Sequence, residues 1–142
     1  AERAGERQLA VRYFEKSIAL DPDHADALNY LGYMWAEQKE NLARARELIE
    51  RALKLEPEND AFLDSMGWVL FQQGDAAGAL GYLLRAVAKL EAPDATVYDH
   101  LGDVYAALKE MDKARAAWAK SVAAEPNDQV QKKLDATVAP PQ

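Results

Sequence analysis

Apolar residues recur along this chain in three matching blocks: Leu28, Leu31, Gly32, Trp35; Leu63, Met66, Gly67, Leu70; and Tyr98, Leu101, Gly102, Tyr105. Within a block, steps of three, one and three residues place all four positions on one stripe of a helix. Past each glycine a second stripe follows, at Ala45, Ile49, Ala52, then Ala79, Leu83, Ala86, then Ala114, Trp118, Ser121. Each unit is therefore predicted to be a pair of antiparallel helices, and the glycines of successive units stand 35 residues apart. A unit of this size cannot bury its own apolar stripes, so the pairs must stack and share one core.

The polar positions punctuate this pattern. Between the stripes lie Glu40-Asn41, Gly74-Asp75 and Glu110-Met111-Asp112, where Gly can close one helix in the left-handed region and Asn or Asp can cap the next. After each second stripe comes a proline, Pro57, Pro93 or Pro126, with Pro22 upstream. Each stops a helix, and Asp23, Asn59, Asp94 and Asn127 are the expected caps of the helices that follow. The expected fold class is all-α: a superhelix of antiparallel helix pairs, with about three full repeats, an N-terminal half repeat and a C-terminal capping helix.

Ala10, Phe14, Ser17 and Pro22 have the spacing of a second helix, so residues 6–20 are expected to start the chain halfway through a repeat. That reading makes the chain a fragment of a longer array. Repeats are expected at 25–59, 60–94 and 95–128, and a capping helix at 129–138 with Val130 and Leu134 on one face. Ala139-Pro140-Pro141-Gln142 cannot continue that helix and is expected to fray.

Leu31-Gly32-Trp35-Ala45-Ile49-Ala52-Pro57, Met66-Gly67-Leu70-Ala79-Leu83-Ala86 and Leu101-Gly102-Tyr105-Ala114-Trp118-Pro126 resemble the tetratricopeptide repeat, over nearly the whole chain. The usual period is about 34 residues. The first copy therefore carries one extra residue near Glu40, and the second has its proline displaced to Pro93. Finer phrases, such as Asn29-Tyr30-Leu31-Gly32-Tyr33, are similar to arrays at the C-terminal end of bacterial, often envelope-associated, members of the family. By that resemblance alone, a periplasmic or envelope setting is expected over a cytoplasmic one. The family implies an interaction module with a concave groove along the first helices.

Charge narrows the partners. The 24 acidic against 17 basic residues leave a net charge of -7, which repels phosphate backbones and anionic lipid, so neither nucleic acid nor a membrane surface is expected as partner. No apolar run approaches the roughly 18 residues of a bilayer span. The absence of cysteine excludes thiolate catalysis and cysteine-ligated zinc. Only His24 and His100 supply imidazoles. His24 reads as a solvated turn residue, and His100 could share a proton with Asp99 or Asp103, but no nucleophile, phosphate loop or convergent ligand set accompanies either. No catalytic residue, metal or cofactor is expected.

On the first helices, the stripe opposite the core contains Asn29, Tyr33 and Ala36, then Asp64, Trp68 and Phe71, then Asp99, Asp103 and Ala106, with Asp26, Tyr30, Glu37, Ser65, Gln72 and His100 beside it. If it lines a groove, as the family resemblance implies, it offers acids with aromatics near its centre, suited to a basic or apolar peptide. The competing reading is that the aromatics pack adjacent first helices and the aspartates are solvated or capping groups. Some family members clamp a chaperone's C-terminal carboxylate with cations; the matching positions here, Asn29, Tyr33, Ser65, Thr96 and His100, keep only one suitable polar group, Asn29. A rival function is self-assembly as a homodimer, through Ala10, Tyr13 and Phe14 on a first helix without a partner. Gly78 and Gly81 fall outside the repeat signature and read as surface glycines, with close contact to another chain as the alternative.

Overall fold

The computed structural model describes residues 2–137. Eight helices occupy them: α1 (Glu2–Leu20), α2 (Ala25–Gln38), α3 (Leu42–Leu55), α4 (Asp60–Gln72), α5 (Ala76–Lys89), α6 (Ala95–Ala107), α7 (Met111–Ala124) and α8 (Asp128–Ala136). No strand occurs among the described residues. Helices α2 and α3, α4 and α5, and α6 and α7 form tight pairs, and each second helix also packs on the first helix of the next pair. The first helices α2, α4 and α6 touch in turn, making a continuous inner strip. This is an all-α solenoid of paired antiparallel helices.

Most positions of the stripes read from the sequence are buried, Tyr98 and Tyr105 only partly, and Phe62, Val69 and Val104 join them in the core. Leu28, Leu31, Ile49, Phe62, Leu63, Met66, Val69, Leu83 and Val104 are fully buried, and together they remove enough apolar surface from water to hold the stack. The repeated glycine has a steric cause. A Cβ built on Gly67 would lie 2.8 Å from Leu83 Cγ, and one on Gly32 would lie 2.6 Å from Ile49 Cγ1. Each glycine therefore lets the large side chain of the second helix lie against the backbone of the first, which offsets about 1 kcal/mol of helix propensity. Trp118 fills that place against Gly102. Ser121 stands where the earlier copies have alanine and donates its hydroxyl to the Ala95 carbonyl at 2.7 Å.

Helix ends depart from expectation in several places. Helix α1 begins at Glu2 rather than residue 6. The cap of α2 is His24, not Asp23: its Nδ1 accepts from the Ala27 N–H at 3.2 Å, so His24 is a capping residue rather than a free imidazole. Asn59, Asp75, Asp94 and Asn127 cap as their chemistry dictates. Asn41 instead takes the left-handed region at φ 47° and makes no side-chain cap, and Glu110 also caps nothing. The extra residue of the first copy lengthens α2 to 14 residues against 13 in α4 and α6. Gly81 has open space around it, whereas the Gly78 N–H donates to the capping Asp75 at 2.8 Å. Helix α8 ends at Ala136; residue 138 and the Ala139–Gln142 tail lie outside the described residues.

Candidate functional site

The inner strip is built from α2, α4 and α6, and ten of the groove candidates sit on it at unequal depths. Glu37 is exposed, and Tyr33, Trp68, Phe71, Gln72, Asp99 and Asp103 are half-buried. Asn29, Asp64 and His100 are buried. Asp64 and His100 are spent on each other across the two first helices, whereas Asn29, also covered by the neighbouring first helix, has no such partner.

His100 shows the consequence. Its Nδ1 lies 2.9 Å from Asp64 Oδ1, so its partner is an acid of the preceding unit rather than Asp99 or Asp103. The imidazole stacks on Trp68 with ring centroids 3.9 Å apart, and Trp68 stacks on Phe71 at 5.2 Å. Tyr33 approaches the same imidazole from α2 at 6.2 Å. Gln72 is also spent on the fold, donating Nε2 to the Ala36 carbonyl at 3.0 Å. Asp99 and Asp103 are both held by Lys133, whose Nζ stands 2.9 Å from an oxygen of each. Reading the sequence by stripes missed Lys133. Its signal was its place: it is the sixth residue of α8, as His100 is of α6.

Electrostatics follow from this crowding of acids. Burial disfavours the charged form of His100, but the hydrogen bond to Asp64 and the charges of Asp64, Asp99 and Glu37 outweigh it and raise the imidazole above its ordinary pKa. Lys133 is likewise raised, its two aspartates outweighing its burial. Burial, reinforced by Glu37, raises the Tyr33 phenol, which keeps its proton as a donor. The Asn29 Oδ1 and Trp68 Nε1 atoms are buried without a hydrogen-bond partner among the described residues.

This arrangement offers acceptors and aromatic faces. The one imidazole on the strip is fixed by Asp64, and among the described residues no group of three or more His, Asp or Glu side chains is placed to hold a metal ion. No described helix is long and apolar enough to cross a membrane.

At the N-terminal end, the self-association candidates separate. Phe14 is half-buried: it packs with Val11 and Ile18 against the core and stacks on Tyr30 at 5.6 Å. Tyr30 thus partly covers it. Ala10 is half-buried, while Tyr13 is 67% exposed and neighbouring Leu9 is 64% exposed.

Comparison with known proteins places this geometry. A crystal structure of PilW, described as a widely conserved type IV pilus biogenesis factor, superposes with a TM-score of 0.83 at 23% identity, over 96% of this chain and 63% of that one. MamA superposes with a TM-score of 0.75 at 24% identity, over 96% of this chain and 79% of that one. The first repeat domain of Spaghetti (RPAP3), bound to the HSP90 peptide SRMEEVD, gives 0.72 at 19% identity, over 80% of this chain and 91% of that one. At these identities the likeness is one of fold. No curated protein matches the chain in sequence. A family profile described as tetratricopeptide repeat matches residues 1–60, 36–96 and 65–129.

Proposed function

The chain belongs to the tetratricopeptide repeat family, and on that premise we propose that it is a non-enzymatic scaffold whose inner strip holds a basic or apolar segment of a partner protein. The observation that carries this reading is the pairing of half-buried Tyr33, Trp68 and Phe71 with exposed or half-buried acids on one face, Glu37 foremost. Aromatic rings of this kind anchor a guest, and the acids select its charge. An acidic tail of the kind seen on Spaghetti (RPAP3) would find no free cation among the described residues of this strip: His100 is held by Asp64, and Lys133 by Asp99 and Asp103.

Titrating a labelled basic, aromatic peptide and a labelled acidic C-terminal peptide against the purified chain tests the proposal. The basic peptide is expected to bind more tightly, and the paired Trp68→Ala, Phe71→Ala variant to weaken it. Tighter binding of the acidic peptide would overturn the reading.

A second reading, homodimerisation through α1, is favoured by the exposure of Leu9 and Tyr13. Tyr13→Glu is the suitable probe, since Phe14 also serves the fold. Sedimentation would show a dimer in the wild type and a monomer in the variant; a wild type that stays monomeric at high concentration removes this reading.

A further inference from the structure

The fifth residue of each first helix faces the sixth residue of the next one. In α4 that fifth residue is Asp64, which meets His100, the sixth of α6, at 2.9 Å. In α6 it is Asp99, which meets Lys133, the sixth of α8, also at 2.9 Å. An acceptor at this place is thus answered twice by a nitrogen base reaching across from the neighbouring unit.

The corresponding pair in α2 and α4 is Asn29 and Ser65. Asn29 is 7% exposed, yet its Oδ1 has no partner among the described residues. A serine side chain is too short to repeat what histidine and lysine do. Asn29 and Ser65 instead stand at the wall of a hollow of about 270 Å³, which Tyr33, Asp60, Asp64 and Thr96 also line. Lysine and arginine are missing from that lining. A buried amide oxygen is costly to leave without a donor, and an anion brought to it would meet the carboxylates of Asp60 and Asp64.

We propose that Asn29 and this hollow form a subsite for a lysine or arginine side chain of the bound partner, which makes across the first pair of units the contact that His100 and Lys133 make within the chain. This deepens the reading of the inner strip as a peptide site and rests on it. The side chain enters past Tyr33, its charged head settles beside Asn29 with Asp60 and Asp64 behind, the Asn29 amide turning its buried Oδ1 towards the hollow to receive it, and its aliphatic stem lies along the aromatic edge. The subsite fixes the register of the partner: its basic residue sits over α2 and α4, and its apolar residues over Trp68 and Phe71.

The test is a set of NMR titrations of the isotope-labelled chain with Nα-acetyl-lysine methylamide, Nα-acetyl-arginine methylamide and the neutral norleucine analogue. The two cations are expected to give saturable shifts at the Asn29 side-chain amide and at the backbone amides of Ser65 and Thr96, with norleucine silent there. Asn29→Leu is expected to weaken the cations by about tenfold or more. The near-isosteric Asn29→Asp, which makes the site chemically equal to Asp64 and Asp99, is expected to tighten them and serves if the leucine variant does not fold. Equal shifts from norleucine, an unchanged lysine titration in Asn29→Leu, no tightening in Asn29→Asp, or shifts scattered over exposed acids such as Glu91 and Asp112 would each overturn the subsite. Adding Nα-acetyl-phenylalanine methylamide separates the two claims. Shifts at Trp68 and Phe71 with no cation response sink the subsite and leave the groove; silence from every probe sinks both.

Discussion

Helices α1 and α8 lie at opposite ends of the stack and meet it in opposite ways. Helix α8 has only 9 residues, yet it buries Val130 against Ala114 and Trp118, takes a cap from Asn127 on two backbone N–H groups, and ties Lys133 to Asp99 and Asp103. Helix α1 has 19 residues, and none of its described side chains is fully buried. The same motif reads differently in the two settings: Ala45, Ile49 and Ala52 of α3 are fully buried, whereas Ala10, Phe14 and Ser17 of α1, at the same spacing, remain half-exposed. A repeat signature therefore specifies which side chains can be buried, and the neighbouring unit decides whether they are. Covering a face of the stack needs few residues when they combine an apolar side chain, a cap and a charge that answers the acids beneath it.

Substitutions can break this comparison, and the largest effect falls on the sealed side. Trp118→Ala should cost about 3–5 kcal/mol in chemical denaturation, because the ring fills the close approach to Gly102. Phe14→Ala in half-buried α1 should cost about 1 kcal/mol. Equal costs would erase the distinction between the ends. Lys133→Met keeps the stem but removes three hydrogen bonds, so about 1–2 kcal/mol should be lost and the amides of α8 should exchange faster. Unchanged exchange would mean that apolar contact alone holds the cap.

The Asp64–His100 pair sharpens the picture of the interior. Tyr33, Glu37, Asp99 and Asp103 also surround this imidazole. Its folded pKa is raised above the ordinary 6.5, so its contribution is fully present below pH 6.5 and is lost as pH rises through the folded value. The stability difference between wild type and His100→Gln should accordingly shrink on going from pH 6 towards alkaline pH; a difference that grows would show that the pair is not held by the proton on His100. The smallest effect is expected on the outward face of α5. Gly81→Ala, in open space, should raise stability by about 0.5–1 kcal/mol in thermal denaturation; a loss would reveal a contact at that face.

Much of the fold was legible because burial in a repeat obeys a fixed period. Gly32, Gly67 and Gly102 marked the close approaches directly, and the large residues facing them followed from their spacing. The site was legible in outline only. Stripe reasoning treats each helix alone, so Asn29, Asp64 and His100 looked like a free face, while their depth comes from the adjacent first helix. The true partner of His100 lies 36 residues away, a relation visible only when residues are compared by slot across units. Lys133 escaped for the same reason, and His24 because histidine is an uncommon cap whose ring nitrogen accepts like a carboxylate oxygen. The left-handed Lys39, Asn41 and Lys109 carry no glycine to announce them.

The most direct test of the inner strip as the binding face is chemical-shift mapping of the labelled chain with an excess of a basic, aromatic peptide. The account predicts shifts concentrated at Asn29, Tyr33, Ser65, Trp68 and Phe71 on α2 and α4, with the outward faces of α3, α5 and α7 unmoved. Shifts confined to α1 or to those outward faces would contradict it.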